Sequence, residues 1–273
     1  MRARTVQQTG VLAVLVFLAI LMAFPFYFMI QTSLKDNSQF ALDFWAPTVP
    51  FHFENYGAAF PVVWHYMLNS ILVTCASTIG VVIVGTLAGF AFARLRFPGR
   101  EIFYYALISM MMIPAILMLV PQFVLIRSFH LIDNYLGVIL PYIAGGQLLA
   151  IFILRGFFAS LPEELFEAAR MDGASDLQVF LRVALPLVRP SITAIAIVTV
   201  LGIWGDYVWP LLVLTDDSLK TLVVGLVAFQ TRYVTYIGPL MAGYTIGALP
   251  LFALFSVGMR QFMAGLMGGA LKL

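Results

Sequence analysis

The chain has 273 residues, of which 62% are hydrophobic and 10% are charged, and its mean hydropathy is +0.98. Since soluble domains carry about 25% charged residues, this composition excludes a soluble globular protein and indicates a polytopic protein of the lipid bilayer. A net charge of +2 excludes the basic field that nucleic-acid binding needs, one cysteine excludes a disulfide or a thiolate cluster within the chain, and three dispersed histidines predict no metal site.

Six apolar stretches are long enough to cross the hydrocarbon as helices, which need about 20 residues each. We therefore predict an all-α, polytopic membrane protein that forms one transmembrane domain. The predicted spans are 11–30, 67–93, 101–126, 136–158, 191–214 and 237–257. The first stretch is too long for a signal-peptide core and lacks a small-residue cleavage site, so we expect it to be retained as a span.

Glycines and prolines within the spans predict how the helices pack and bend. Gly85 and Gly89 in the second span have the spacing that lets two helices approach closely. Pro114 and Pro121 predict a bend in the third span, where neighbouring helices can bond the carbonyls that proline frees. Between and after the spans, the sequence predicts a loop of mixed polarity at 31–66, an outer loop at 215–236 and a short glycine-rich tail at 258–273.

The distribution of basic residues predicts the orientation. If the N terminus, the turn 94–100, the segment 160–190 and the tail share one side, that side carries eleven lysines and arginines and the other side carries four. Because cytoplasmic loops carry the excess of positive charge, we expect both termini and the segment 160–190 to lie in the cytoplasm.

Residues 160–190, called here the polar segment, interrupt the apolar sequence with charge. Ser160 and Glu163 have capping-box spacing, and Pro162 suits a first helical turn, so a short helix is predicted to begin here. Gly173 is its predicted stop, because glycine adopts the left-handed conformation that closes a helix. Small apolar residues recur at helical spacing with charged residues around them: Leu165, Ala168 and Ala169 beside Glu163, Glu164, Glu167 and Arg170.

The second half of the polar segment predicts another short helix. Ser175 and Gln178 repeat the capping-box spacing, and Pro186 and Pro190 end the run. An apolar stripe is predicted along this helix at Leu177, Phe180, Leu181 and Ala184. The sequence therefore predicts two short helices joined by a bend, which form either a contact surface for a soluble partner or an ordinary connector between membrane helices.

The polar segment resembles the EAA loop of ATP-binding cassette (ABC) importer permeases. The resemblance is carried by Glu167-Ala168-Ala169, by Gly173 four positions beyond Ala169, and by Val183, Leu185 and Pro186, with Val183 where isoleucine is more usual. It implies coupling helices that sit in a cleft of the ATPase subunit. The implied interface is Glu163, Glu164, Glu167, Ala168, Ala169, Arg170, Asp172, Gly173, Ala174, Leu177, Phe180, Leu185 and Pro186.

Further motifs resemble the carbohydrate-importing branch of these permeases, which includes the maltose-type subunits. They are Asn69-Ser70, the run from Ala93 to Arg100, Met112-Ile113-Pro114, the run from Trp204 to Pro210, and Lys220-Thr221-Leu222. In this branch an asparagine is common at the place of Gly205 and a glutamate at the place of Asp206, so the chain departs from the pattern at both positions. The tail resembles one that reaches into the ATPase dimer interface, which implies contacts through Gln261, Gly265, Leu266, Gly269 and Lys272.

Asp206 and the aromatic residues around it are the candidate pathway residues. A carboxylate near the centre of a membrane helix costs about 2.5–3.5 kcal/mol on insertion scales, so it usually faces a polar cavity or a partner. Asp206 therefore either lines a pathway or lies near the end of the span, solvated or bonded to a neighbouring helix. Trp204, Tyr207 and Trp209 either stack on sugar rings or anchor the helix at the membrane interface.

The resemblance implies a non-catalytic transport subunit of a bacterial or archaeal inner membrane. The chain has no G-x-x-x-x-G-K-[ST] motif, so ATP and magnesium are expected on a separate ATPase and no cofactor on this chain. The implied partners are a second permease subunit, two ABC ATPase subunits, an extracytoplasmic solute-binding protein and a sugar or sugar-like solute. The alternatives are an ion-coupled secondary transporter, for which Asp206 is the one serious intramembrane ionisable candidate, and a membrane-embedded enzyme.

Overall fold

The computed structural model describes residues 2–232 and 236–270, with side chains described for 8–231, 236–256 and 258. Every regular element in these ranges is a helix or a helical turn. Four helices are long and apolar enough to cross a membrane, and two bent helix pairs raise the number of candidate spans to as many as six. The prediction of an all-α polytopic membrane fold is therefore confirmed for the described part of the chain.

The described helices are α1 (Arg2–Ser33), α2 (Asn37–Leu42), α3 (Glu54–Arg94), α4 (Arg100–Ser109), α5 (Ala115–Ser128), α6 (Tyr135–Ala159), α7 (Glu163–Met171), α8 (Asp176–Val179), α9 (Leu185–Leu187), α10 (Arg189–Trp204), α11 (Val208–Val213), α12 (Leu222–Arg232) and α13 (Ile237–Ala270). They belong to two compact units. One unit comprises Met1–His65 and Gly225–Leu249, and the other comprises Tyr66–Val224 and Pro250–Leu273.

In the first unit, the residues after α1 form a hydrogen-bonded turn instead of the loop predicted at 31–66. Asp36 caps α2, since its Oδ1 accepts from the backbone N–H of Gln39 at 2.7 Å. The almost fully buried Lys35 donates from Nζ to the carbonyl of Asp43 at 2.6 Å, and Asn55 donates to the carbonyl of Lys35 at 2.9 Å. Asn55 belongs to the first turn of α3, so this helix begins well before the predicted start of the second span at residue 67.

In the second unit, α3 and α6 pack closely through glycine. A Cβ placed on Gly85 would lie 2.7 Å from the Cβ of Ala150, and one on Gly89 would lie 2.8 Å from the Cβ of Leu154. Real Cβ atoms essentially never approach so closely, so both positions need glycine for this packing. The close approach predicted from the spacing of Gly85 and Gly89 is confirmed.

Two of the predicted spans are interrupted. The chain turns by 103° between α4 and α5, where a 3₁₀ turn at Met110–Met112 leads into Pro114, while Pro121 lies inside α5. The predicted span 191–214 is wrong as a continuous helix, because α10 ends at Trp204 and α11 begins at Val208. Asp206 stabilises this break, since its Oδ1 accepts from the backbone N–H of Val208 at 3.0 Å.

The remaining differences concern the connections. Residues 215–236 are not a plain loop, because they contain a 3₁₀ turn at Asp217–Leu219 and the helix α12. Residues 258–270 continue α13 as a helix, although the sequence suggested a separate glycine-rich tail. In both places the helical residues are largely apolar. Helix propensity alone could not indicate at which residue such a helix ends.

Candidate functional site

The first helix of the polar segment begins differently from the prediction. Ser160 ends α6 and does not cap α7, because its hydroxyl donates to the carbonyl of Phe157 at 2.9 Å. Pro162 occupies the N-cap of α7, which has no side-chain cap. The predicted capping box of Ser160 and Glu163 is therefore wrong, and the Glu163 carboxylate pairs instead with Arg94 at the end of α3.

The bend between the two short helices forms as predicted. Gly173 has φ +79°, and its N–H donates to the carbonyl of Arg170 at 3.0 Å. The N–H of Ala174 donates to the carbonyl of Ala169 at 3.0 Å, which completes a Schellman motif. The predicted glycine stop is confirmed, and it turns the chain sharply between α7 and α8.

The second helix begins with the predicted capping box. The N–H of Ser175 donates to Oε1 of Gln178 at 2.8 Å, while the N–H of Gln178 donates to the Ser175 hydroxyl oxygen. A π-helical turn at Phe180–Ala184 then leads into α9, and the chain bends by 75° before α10. This turn places both Phe180 and Ala184 inward.

A buried aromatic cluster attaches the polar segment to the membrane helices. Phe166 of α7 and Phe158 of α6 are completely buried, and Phe90 of α3 is almost so. The Phe180 ring lies 5.1 Å from that of Phe90 and 6.4 Å from that of Phe158, measured between centroids. Val179 and Ala184 complete the cluster. The segment is therefore packed onto α3 and α6 and is not a freely moving connector.

Sequence reasoning missed Phe166, Phe90 and Phe158, and it placed Phe180 on the outer surface. Phe180 is 6% exposed, so the predicted stripe divides: Phe180 and Ala184 face inward, while Leu177 and Leu181 remain exposed. The signal for Phe166 was its status as the only aromatic residue in the short amphipathic sequence of α7. Its neighbours on α3 and α6 are distant in sequence, so no local pattern indicated them.

The outer surface of the polar segment is apolar and acidic. Met171 and Leu177 are 88% and 62% exposed, and Leu165 and Leu181 are also exposed. The other predicted interface residues divide by exposure into an exposed group, namely Glu163, Glu164, Glu167, Ala168, Arg170, Asp172, Gly173 and Pro186, and a half-buried group, namely Ala169, Ala174 and Leu185. Large exposed apolar side chains beside carboxylates form a surface of the kind that protein partners cover.

The structure gives Asp206 a specific neighbour. The Tyr142 hydroxyl of α6 donates to Oδ2 of Asp206 at 2.8 Å. The carboxylate is thus bonded to a neighbouring helix and is half-buried, and its place along a pathway stays a prediction. Trp204 and Trp209 are buried at 7% and 5% exposure, and Tyr207 is half-buried, so the indoles pack within this chain in the conformation described.

The predicted tail contacts cannot be placed by their side chains. Gln261, Gly265, Leu266 and Gly269 belong to α13, but their side chains lie outside those described. Lys272 lies outside the described residues.

The helical fold of this chain is that of a known family of membrane transport subunits. Residues 81–266 match the family model for the binding-protein-dependent transport system inner membrane component. The chain belongs to this family of ABC importer permeases. It is accordingly a multi-pass inner-membrane protein and a non-catalytic transport subunit.

Relatives match along most of the chain. It is 30% identical over 264 residues to the diacetylchitobiose uptake system permease protein NgcG of Streptomyces coelicolor, covering 95% of this chain and 87% of that protein. It is 31% identical to the arabinooligosaccharides transport system permease protein AraQ of Bacillus subtilis, covering 93% and 92%. It is 34% identical over 205 residues to the sn-glycerol-3-phosphate transport system permease protein UgpE of Salmonella typhimurium, covering 74% and 72%.

A solved structure has the same fold. The chain superposes with a TM-score of 0.84 on a subunit of a bacterial ABC transporter involved in the import of the acidic polysaccharide alginate. The match covers 96% of this chain and 98% of that one, at 23% sequence identity.

Proposed function

We propose that this chain forms half of the translocation pathway of an ATP-driven importer for a sugar or sugar-like solute. The named cargoes of its relatives are diacetylchitobiose, arabinooligosaccharides and sn-glycerol-3-phosphate, which are all rich in hydroxyl groups. The other half is a second, homologous permease subunit. An extracytoplasmic solute-binding protein delivers the cargo, and two ABC ATPase subunits bind ATP and magnesium on the opposite side.

The observation that carries this proposal is the construction of the polar segment. Its inner side is fixed by Phe166 and Phe180, while its outer side exposes Met171 and Leu177. A surface of this kind can bind a partner on one side and move the membrane helices on the other. ATPase dimerisation drives transport only if the docking free energy differs between the inward-open and outward-open states, because equal docking shifts no equilibrium.

Charge and the broken span support the rest of the proposal, which concerns the orientation, the tail and the pathway residues. The excess of basic residues supports a cytoplasmic location for both termini and the polar segment. The residues of the tail, Gln261 to Lys272, then reach the ATPase dimer. The non-helical residues 205–207 support a pathway role for Trp204, Asp206, Tyr207 and Trp209, because irregular backbone at membrane depth is tolerated where it is enclosed by protein or lines a water-filled cavity.

Site-specific cross-linking tests the docking surface. With Cys75 replaced by serine, Leu177→Cys places a thiol on the exposed side of α8. We expect it to cross-link to the ATPase subunits in the assembled transporter. Leu136→Cys is the matched control, because Leu136 is 50% exposed at the start of α6, about 35 Å along that helix from its end at a rise of ~1.5 Å per residue. Equal or absent ATPase adducts from the two variants would contradict the proposal.

Energy dependence separates this function from an ion-coupled transporter. In proteoliposomes that contain the complete transporter, we expect solute uptake to require ATP on the ATPase side and to persist without an ion gradient. Uptake that is driven by a proton or sodium gradient in the absence of ATP would favour the secondary-transporter alternative instead.

A further inference from the structure

The guanidinium of Arg94 lies where three helices meet. Arg94 is the last residue of α3, and 9% of its side chain is exposed. Its Nε donates to the carbonyl of Phe158 at 2.9 Å, and its Nη2 donates to the carbonyl of Leu161. Its Nη1 donates to the Glu163 carboxylate, and its Cζ lies over the Phe166 ring, 4.1 Å from the ring centroid. One side chain of α3 therefore contacts the end of α6 and the start of α7.

Each of these contacts suits a guanidinium group. The last carbonyls of a helix have no partner within the helix and carry partial negative charge, so a cation near Phe158 satisfies and stabilises the end of α6. The planar fork of arginine can bond two carbonyls and a carboxylate at once, whereas a lysine ammonium cannot match that geometry. The aromatic face of Phe166 adds a cation–π contact that is strengthened by burial.

The helix α7 is also held by the half-buried Ala169, which packs against the same cluster, and by Arg170, which lies 3.6 Å from Glu163 and 3.9 Å from Asp176. All nine of its residues are described, and Phe166 is the one that is buried. At its other end, nothing lies within 4 Å of the position that a Cβ of Gly173 would occupy. Phe166 and the Arg94–Glu163 pair are therefore the main contacts that orient α7 relative to the membrane helices, and Arg94 takes part in both.

The helices that Arg94 joins to α7 are themselves closely packed. Gly85 and Gly89 bring α3 against Ala150 and Leu154 of α6 with no space for another carbon atom. Such packing transmits displacement without deformation, because protein interiors are as dense as organic crystals. A movement of α7 that reaches Arg94 is thus passed to α3 and α6 together.

We infer that Arg94 is a positioning residue of the transport cycle, through which a displacement of α7 by the ATPase is transmitted to the α3–α6 pair. The inference rests on the proposed function, in which the ATPase binds the polar segment. It assigns to Arg94 a role in coupling ATP hydrolysis to transport, distinct from a role in binding the ATPase, since its side chain faces inward and is nearly buried.

The test is the number of solute molecules taken up per ATP hydrolysed by the complete transporter in proteoliposomes. We expect Arg94→Gln to lower this ratio roughly tenfold, while the ATPase still co-purifies. A change of this size is typical of the coupling between two sites in a protein. Arg94→Lys retains the charge but not the fork, so its ratio is expected to lie between those of Arg94→Gln and the unaltered protein. Arg96→Gln is the control, because Arg96 is an exposed arginine two residues further on, and its ratio is expected to be unchanged.

A purely structural role for Arg94 would lower the amount of assembled transporter and leave the ratio of the remainder unchanged. That outcome, or loss of ATPase co-purification in Arg94→Gln, would overturn the inference. If Arg94→Gln fails to assemble, Arg94→Lys supplies the measurement, and an unchanged ratio in that variant would overturn the inference equally. Absence of the Leu177→Cys cross-link would instead overturn the proposed function, whatever the ratio.

Discussion

The rings of Phe90 and Phe180 lie 5.1 Å apart between centroids and are inclined by 56°. Phe90 belongs to a membrane helix, and Phe180 belongs to the π-helical turn of the polar segment. Because aromatic pairs prefer such inclined arrangements, this contact adds to the free energy gained from burial. The polar segment is thereby part of the folded core, although its composition is that of a surface connector.

The first prediction separates the inner from the outer residues of this segment. Phe180→Ala should lower the free energy of unfolding by about 3–5 kcal/mol, because it leaves a cavity beside Phe90 and Phe158. Leu177→Ala should change that free energy by less than about 0.5 kcal/mol, because the side chain is exposed, but it should weaken ATPase co-purification. Unfolding in detergent and affinity purification measure the two effects. Equal destabilisation by both variants would contradict the assignment.

The second prediction concerns the bend at Gly173, where φ is +79°. Gly173→Val should impose about 1–2 kcal/mol of backbone strain, since β-branched residues avoid the left-handed region, and should reduce uptake per ATP hydrolysed. Gly173→Asn is the matched control, because asparagine tolerates this conformation at the end of a helix. Nothing lies within 4 Å of the added Cβ, so contact of the Cβ itself does not distinguish the two variants. Normal coupling in the valine variant would count against the docking assignment.

The third prediction tests the packing of α3 against α6. Gly89→Ala should lower the free energy of unfolding by about 1–3 kcal/mol, because its Cβ would lie 2.8 Å from the Cβ of Leu154 and 3.3 Å from the backbone nitrogen of Arg155. Gly156→Ala on α6 is the control, since nothing lies within 4 Å of its Cβ position. Thermal unfolding in detergent should distinguish the two. A comparable loss in both would indicate that helix flexibility, not crowding, is responsible.

The fourth prediction is a pH dependence at Asp133, which lies outside the membrane-spanning helices. Hydrogen bonds from the N–H of Asp216, and from the hydroxyl and N–H of Thr215, hold the pKa of the Asp133 carboxyl below its usual value. A depressed folded-state pKa stabilises the protein above the unfolded-state value, near 3.8, and this contribution is lost as the pH falls through the folded-state pKa.

The variant Asp133→Asn should therefore unfold at a lower temperature than the unaltered protein at neutral pH. The difference should shrink as the pH falls below the ordinary aspartate pKa of about 3.9. Asparagine preserves the backbone, because it tolerates the positive φ of 54° found here. A difference in melting temperature that stays constant across this pH range would show that the carboxylate charge is not involved.

The fifth prediction addresses the contact between Tyr142 and Asp206. Tyr142→Phe should lower the free energy of unfolding by about 1 kcal/mol, because it removes a hydrogen bond to a carboxyl group within the membrane helices. In the background of Asp206→Ala the same change should have little further effect. Additive losses in this double-mutant cycle would show that the two side chains do not act as a pair.

Local chemistry explains which parts of the fold could be predicted. The glycine bend and the Ser175–Gln178 capping box depend on neighbours within a few residues, and both were predicted correctly. The spacing of Gly85 and Gly89 likewise depends on one helix face. Four of the predicted spans are continuous apolar helices, and these followed from composition, since a membrane helix needs only sufficient apolar length.

Long-range partners explain the predictions that failed. The capping box of Ser160 was lost because Glu163 pairs with Arg94, which is 69 residues away in the sequence. Phe180 was placed outside because its partners, Phe90 and Phe158, belong to other helices. The break after Trp204 has no proline and depends on Asp206, whose partner Tyr142 is equally remote in sequence.

The glycine contacts between α3 and α6 restrict how this subunit can change shape. At both glycines the backbone of α3 lies directly against Ala150 and Leu154 of α6, so the two helices have little room to slide and are expected to move as one body. If the subunit alternates between inward-open and outward-open states as proposed, we expect it to bend elsewhere in the same unit, where Pro114 follows the turn after α4 and where residues 205–207 separate α10 from α11. The α3–α6 pair would then be a rigid element with a bending point on either side, and the other helices would rotate relative to it.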